Sequence, residues 1–271
     1  MRARIRDWIE RRFHARVTEC TVLRVVDTRR LTPHMLHVTF EGRSLDAFAT
    51  DDNLHVKLLL PPEGAPRYKW LTAGRDGKAR LPGKGVDPVF RKYTIRAIDS
   101  ATGRVAIDFV CHADGGPGAA WATTAQAGDV IGMIGPGGRG ILPADWYLLA
   151  GDETALPAIG RILESLPRDA KGLALVEIDG PKEQQALAVP DGMTLQWLHR
   201  NGAPAGTTDL LANAVKAASW PAGGIRFAWV AAEFSAVQAI RRHLRSSGLG
   251  KQEQLVVAYW RREATDAGRR E

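Results

Sequence analysis

The feature that most constrains this chain is a change of hydrophobic period near its midpoint. Before Pro143 the sequence reads as strands set apart by Gly, Pro and Asp clusters. The segments are "VTECTVLRVVDT", "HMLHVTFEG", "LHVKLLLP", "RKYTIRAID", "RVAIDFVCH" and "DVIGMIGP". With one short helical interruption, "GAAWATTAQAG", these six segments predict a small antiparallel β-barrel. After Trp146 the pattern alternates buried strand with amphipathic helix: "WYLLAG", "ETALPAIGRILESLP", "GLALVEI", "IRFAWVAA", "EFSAVQAIRRHLRSSG", "QLVVAYW". That alternation predicts βαβ units and a mostly parallel sheet. The expected fold is therefore a β-barrel domain over 1–143 followed by an α/β domain over 144–271, and 271 residues leave room for two cores.

Several function classes fall away on simple grounds. No apolar run approaches the roughly eighteen residues of a membrane span. The N-terminal "MRARIRDWIERRFHARV" is broken by Asp7 and Glu10, so it does not read as a secretory signal. Ile5, Trp8, Ile9 and Phe13 fall at helical spacing, which predicts a short amphipathic helix over 3–14 docked on its own domain rather than inserted in a membrane. Two cysteines, Cys20 and Cys111, stand far apart without a CxxC, which argues against a disulfide framework, a zinc ribbon or an iron–sulfur cluster and for a cytoplasmic protein. His34-x-x-His37 falls in an alternating pattern that sends its members to opposite faces, so no metal site is expected. A formal charge of +7 favours an anionic partner. The cations are spread along the chain without a nucleic-acid motif, and a phosphorylated cofactor or acidic small molecule fits better than nucleic acid.

Three stretches can carry chemistry. "GPGGRG" (135–140) matches G-x-G-x-x-G but runs on into "ILPADWYLLAG", where no helix can begin, so it reads as a turn. "LLAGDETALPAIGRIL" places a helix start near Asp152–Thr154 at the carboxyl end of a strand, with Pro157 tolerated in the first turn. Either a nucleotide site or a plainly capped helix satisfies that pattern. "VAAEFSAVQAIRRHL" repeats the geometry at Ala232-Glu233, with Arg241, Arg242 and Arg245 on the helix's solvated face. The third is "RKYTIR" with "DFVCHADGGPGAAWA": a strand with an arginine and an aromatic, beside a strand running through glycines into a short helix. Arg91 and the helix start suit phosphate oxygens, Tyr93 offers a flat face and Thr94 a hydroxyl. Together they suit a ligand with a pyrophosphate and a large planar ring.

R-x-Y-T-x-R, a strand ending in His112, G-P-x-x-x-W-A, G-D and G-P-x-G together resemble the siderophore-interacting proteins, ferric-siderophore reductases of the ferredoxin-reductase-like superfamily. "WLHR", "WVAAEFSAVQAIRRHLR" and "YWRR" continue the likeness, which spans roughly 16–262. The resemblance implies a flavin-binding barrel followed by a nicotinamide-nucleotide domain, with FAD passing electrons from NADPH or NADH to the Fe(III) of an anionic ferric siderophore. Carried over, Arg91 holds FAD phosphate and Tyr93 and Thr94 lie against the flavin ring near its N5, which carries the chemistry. Arg96 braces the strand, Lys92 faces solvent, and Asp108, Val110 and His112 line the nucleotide portion. Gly116 and Trp121 shape the phosphate loop. Gly151, Asp152, Glu153, Thr154, Ala232 and Glu233 face NAD(P)H. Lys57, and then Arg261 and Arg262, are the expected siderophore cations. Glu177 suits a free ribose hydroxyl, whereas Lys182 or Arg200 suits a 2′-phosphate, so the donor stays open. A monomer is expected. Two departures from the family pattern stand out: Ala119 replaces a hydroxyl in the phosphate loop, and Phe234 sits in the second nucleotide turn. Alternative readings are a flavin reductase serving a redox protein, or a non-catalytic siderophore-binding protein.

Overall fold

Alternation in the first half resolves into nine strands: β1 (Thr21–Thr32), β2 (Met35–Gly42), β3 (His55–Leu60), β4 (Thr72–Ala73), β5 (Ala79–Arg80), β6 (Val89–Thr94), β7 (Ala97–Asp99), β8 (Arg104–Val110) and β9 (Val130–Gly137). They come from a computed structural model that describes residues 20–51, 55–74, 79–80, 88–112 and 115–262. The helix expected over 3–14 lies outside the described residues. β4 and β5 pair with each other, and the other strands form one antiparallel sheet in the order β6-β3-β9-β1-β2-β8-β7.

"RKYTIRAID" is not one strand, which corrects the six-strand expectation. β6 pairs with β3 and β7 with β8, so the chain leaves one neighbour and joins another at Ile95–Arg96. Because β6 and β7 are the two edges of the sheet and only two residues separate them, the sheet closes into a barrel. Period-2 alternation then fills the interior with Val38, Phe40, Val56, Leu58, Ile107 and Phe109, all fully buried. The loop after β3 is docked rather than free. Trp70 and Leu71 are buried against Cys20 and Leu59, and the Trp70 indole N–H donates to Val130 O at 2.7 Å. One helix, α1 (Pro117–Thr123), joins β8 to β9.

The second half contains β10 (Trp146–Gly151), α2 (Leu156–Ser165), β11 (Lys171–Ile178), β12 (Gly192–His199), α3 (Leu210–Ala217), β13 (Arg226–Glu233), α4 (Phe234–Ser246) and β14 (Gln254–Trp260). All pairings are parallel, in the order β12-β11-β10-β13-β14. The order reverses between β10 and β13, and the crevice beyond the carboxyl ends of those strands is where open α/β sheets take ligands. β12 and α3 were not among the expected elements: β12 is an edge strand with only Met193 buried, and α3 is short. The chain divides into two compact units, Met1–Gly140 and Ile141–Glu271. Among the described residues no helix is long and apolar enough to cross a membrane, and no group of three or more His, Cys, Asp or Glu side chains could hold a metal ion.

Candidate functional site

In the barrel unit, strand alternation sorts the β6 residues. Tyr93 and Ile95 turn toward the core, whereas Lys92 and Thr94 turn outward with Arg96. The Tyr93 ring lies 4.4 Å from that of Phe109. Burial, aided by Cys111 and opposed by Arg91, pushes the Tyr93 hydroxyl well above its ordinary pKa, so it stays protonated. Its hydroxyl fits beneath α1 only because position 118 is glycine: a Cβ there would collide with it. Gly118 thus accommodates a protein ring.

α1 begins at Gly116 in extended backbone with Pro117 at its first position. A Cβ at Gly116 would meet nothing within 4 Å, so space is open before the helix start. Arg91 lies exposed on β6. Its guanidinium donates to Phe90 O at 2.8 Å, and both it and the backbone N–H groups of a helix start are donors of the kind that the pyrophosphate of FAD takes. The helix's other end is also held. Arg67, from the loop after β3, donates to Trp121 O at 3.0 Å and Thr124 O at 3.1 Å, lies 5.3 Å over the Trp121 ring, and pairs with Asp129 at 3.1 Å. Sequence reasoning passed over Arg67 because its partners are more than fifty residues away. Ala119, where a hydroxyl was expected, is buried and packs toward Gly115.

Asp108, Val110 and His112 follow the outward face of β8. Asp108 is buried and lies opposite His37 of β2, its carboxylate 2.5 Å from His37 Nδ1. The His112 ring lies 5.9 Å from that of His34, which sits in the β1–β2 turn rather than within a strand.

Across β3 and β6, Lys57 faces Lys92 directly and His55 faces Thr94. Val56 and Leu58 are core residues, so Lys57, Lys92, His55 and Thr94 share the outward face. Opposed like charges are unfavourable in a sheet. Lys92 is exposed, as expected, and stands opposite Lys57 in the register. His55 is wedged against Gly137 and Gly138, the latter with φ of +101°. Burial, then Lys92 and Lys57, hold its pKa below the ordinary histidine range. In "GPGGRG", β9 ends at Gly137 and the chain leaves the strand, with Gly137 and Gly138 standing beside the His55 ring.

In the α/β unit the carboxyl ends of the strands are crowded with buried charge. The regular helix begins at Leu156, after a turn in which Ala155 N and Leu156 N already donate to Asp152 O at 2.9 and 3.1 Å, close to the start expected at Asp152–Thr154. The Asp152 carboxylate accepts from Thr154 N at 3.0 Å and Thr154 Oγ1 at 2.5 Å, from Glu233 N at 3.0 Å and from the Trp260 indole at 2.7 Å. Burial pushes its pKa upward, against the donors from Thr154 and Trp260. Glu233 caps α4 by accepting from Ser235 N, and its other oxygen accepts from Arg262 N at 3.2 Å. The Arg261 guanidinium lies 3.7 Å over the Phe234 ring, so that aromatic carries a cation. Glu153 pairs with buried Arg200 at 2.6 Å, and Glu177 stands 3.7 Å from the same guanidinium while accepting from Leu211 N at 3.1 Å. Burial opposes the charge on Arg200, but Glu153 and Glu177 outweigh it and raise its pKa. Arg200 is thus engaged chiefly by Glu153, with Glu177 beside it, and Lys182 is exposed beyond β11.

An antiparallel barrel followed by a five-stranded parallel sheet with a 3-2-1-4-5 order is the fold of the flavin–nicotinamide reductases of ferredoxin-reductase type. The cytochrome b5 reductase domain of Ulva prolifera nitrate reductase shares it, with a TM-score of 0.63 at 10% identity, over 88% of this chain and 97% of that one. The chain belongs to the siderophore-interacting protein family. Residues 24–140 match the siderophore-interacting FAD-binding domain and residues 144–263 the siderophore-interacting protein model. The chain is 35% identical to the ferric vibriobactin reductase of Vibrio cholerae over 246 residues, 89% of each chain. It is 31% identical to the NADPH-dependent ferric-chelate reductase of Escherichia coli over 253 residues, 90% of this chain and 93% of that one. A siderophore utilization protein from T. fusca has a similar structure, with a TM-score of 0.78 and 39% identity, over 91% of this chain and 94% of that one.

Proposed function

We propose that this chain is a ferric-siderophore reductase, taking electrons from NADPH or NADH through FAD to chelated Fe(III) so that Fe(II) is released. The observation that carries the substrate half is the Lys57–Lys92 pair, two lysines directly opposite each other in the β3–β6 register, on the same strand face as the His55–Thr94 pair. Such a pair is explained by an anion seated between them. FAD, when bound, supplies the conversion of a two-electron hydride into single electrons, so one NAD(P)H suffices for two ferric chelates. The chain's own residues bind and orient. Arg91 and the α1 start hold phosphate, Tyr93 and Thr94 set the ring's place, and Lys57 with Lys92 draws in the anionic chelate. Gly151, Asp152, Thr154 and the Ala232-Glu233 turn shape the nicotinamide-nucleotide crevice at the β10/β13 order reversal. Fe(III) is a hard cation held tightly by siderophore oxygens and Fe(II) is held less tightly, so the protein needs no ligand of its own to free the metal. The protein works as a cytoplasmic monomer. The test is anaerobic: NADPH or NADH is added to the FAD-loaded protein, then an anionic ferric chelate with an Fe(II) trap. Bleaching of the flavin followed by its return, with trapped Fe(II), is expected. A flavin that neither nucleotide bleaches removes the nicotinamide donor from the scheme, and reduced flavin that leaves ferric chelates intact removes the siderophore.

A further inference from the structure

His37 and Asp108 form a cross-strand pair in the middle of the outward face shared by β2 and β8. The Asp108 carboxylate is 2.5 Å from His37 Nδ1 on one side and 3.9 Å from Arg96 Nε on the other. Its side chain is only 1% exposed, so a ligand lying on the strand face cannot reach it. His37 and Arg96 keep 21% and 18% of their side chains exposed, so both reach the surface. A carboxylate bound to one imidazole nitrogen fixes the ring and turns the other nitrogen away from it, the device by which histidines are aimed in metal and catalytic sites. With Nδ1 on the carboxylate, Nε2 is the nitrogen that can serve a ligand. Two steps along the register, the next pair on this face is Met35 and Val110, so the face continues toward His112 and the start of α1.

We infer that His37 is an FAD-binding residue, presenting Nε2 to the cofactor from the β2–β8 face, and that Asp108 acts behind it as a positioning residue for His37 and Arg96. A buried carboxylate on the outside of a barrel gains little stability from its partners once desolvation is counted. Fixing the direction of two exposed donors is a use that its burial does not contradict. The assignment rests on the barrel being the FAD site.

The test is a fluorescence and visible-absorbance titration of apo-protein with FAD, for the wild type, His37→Ala, His37→Gln, Asp108→Asn and the double variant His37→Ala/Asp108→Asn. Losing one hydrogen bond to the cofactor should raise the Kd of His37→Ala about tenfold. His37→Gln, whose amide reaches the position of Nε2, should recover much of that loss. Asp108→Asn should weaken binding in the same direction, and the double variant should be no weaker than His37→Ala alone, because the two act in series. A His37→Ala protein with wild-type Kd and an unshifted flavin band overturns the assignment, as do two losses that add in full. If Asp108→Asn fails to fold, His37→Ala and His37→Gln decide the matter. Wild type that binds no FAD overturns the barrel reading itself and this inference with it.

Discussion

His55 is held neutral by its surroundings, and that makes it a reporter of the lysine pair beside it. Burial and the charges of Lys92 and Lys57 lower its pKa below 6.5. A proton on His55 is thus worth more to the unfolded chain than to the folded one. The stability tied to its neutrality is fully present above about pH 6.5 and falls as pH drops toward the lowered folded-state value. Replacing His55 with Gln should flatten that part of a melting-temperature-against-pH curve. An anion between the two lysines cancels part of their field and should move the His55 titration upward. An anionic gallium(III) chelate, which stays diamagnetic, lets NMR follow it, and a titration that ignores the chelate would leave the pair without a ligand. Gly118 makes a second residue-scale case. In helical backbone, alanine ordinarily gains up to about 1 kcal/mol over glycine. At this position the added methyl meets the buried Tyr93 hydroxyl, and overpacking of that kind costs about 1–3 kcal/mol. Gly118→Ala should therefore lose stability and release flavin, measured by thermal melts and by the yellow band retained on purification. A variant more stable than wild type would mean that the Tyr93 ring moves freely aside.

At the level of elements, the end of β14 is tied to β10 and β13 by one carboxylate. Asp152 receives Trp260 from β14, the Glu233 amide from β13 and Thr154 from its own turn. Removing it leaves several buried donors unpaired, each costing about 1–3 kcal/mol before relaxation. Asp152→Ala should lower stability by about 2–4 kcal/mol and speed amide exchange in β14 and the Glu233 turn ahead of β11. Uniform exchange across the sheet would show that the tie does not localise there. These ties also explain what could be read in advance. β10 was legible to the residue, because a buried parallel strand is a continuous apolar run with turn signals at its ends, and β14 was legible from a similar apolar run although it is a half-exposed edge strand. The start of α2 was legible only to within a few residues: one Asp152 oxygen does hold the turn through Thr154 N, but its second oxygen serves partners 81 and 108 residues away, which no local pattern shows. The split of "RKYTIRAID" was hidden for a related reason: only barrel closure forces Ile95–Arg96 to change neighbours. Arg91, Tyr93 and Thr94 stood out by residue type in one short stretch. Arg67 and His37 became visible only through contacts that the fold creates.

Over the whole molecule, the formal charge of +7 explains attraction of an anion in general but not where it stops. The surrounding cations are mostly screened beyond about 8–10 Å at physiological salt, so localisation falls to close-set pairs such as Lys57 and Lys92. In the proposed anion-binding role, stability and function pull this pair in opposite directions, which gives a test that an incidental pair fails. With no anion bound, each lysine repels the other, and relieving that repulsion is worth about 0.2–1 kcal/mol. Lys57→Ala or Lys92→Ala should thus leave the protein equally stable or slightly more so. The same change should raise KM for an anionic ferric chelate about tenfold, with little change in kcat, the signature of lost ground-state binding. A neutral ferric chelate should hardly notice, and the salt dependence of KM should become shallower in either variant. Both effects are needed. Lower stability with an unaltered KM would make the lysines structural, and an equal KM rise for charged and neutral chelates would trace the loss to a disturbed flavin face instead of a missing charge.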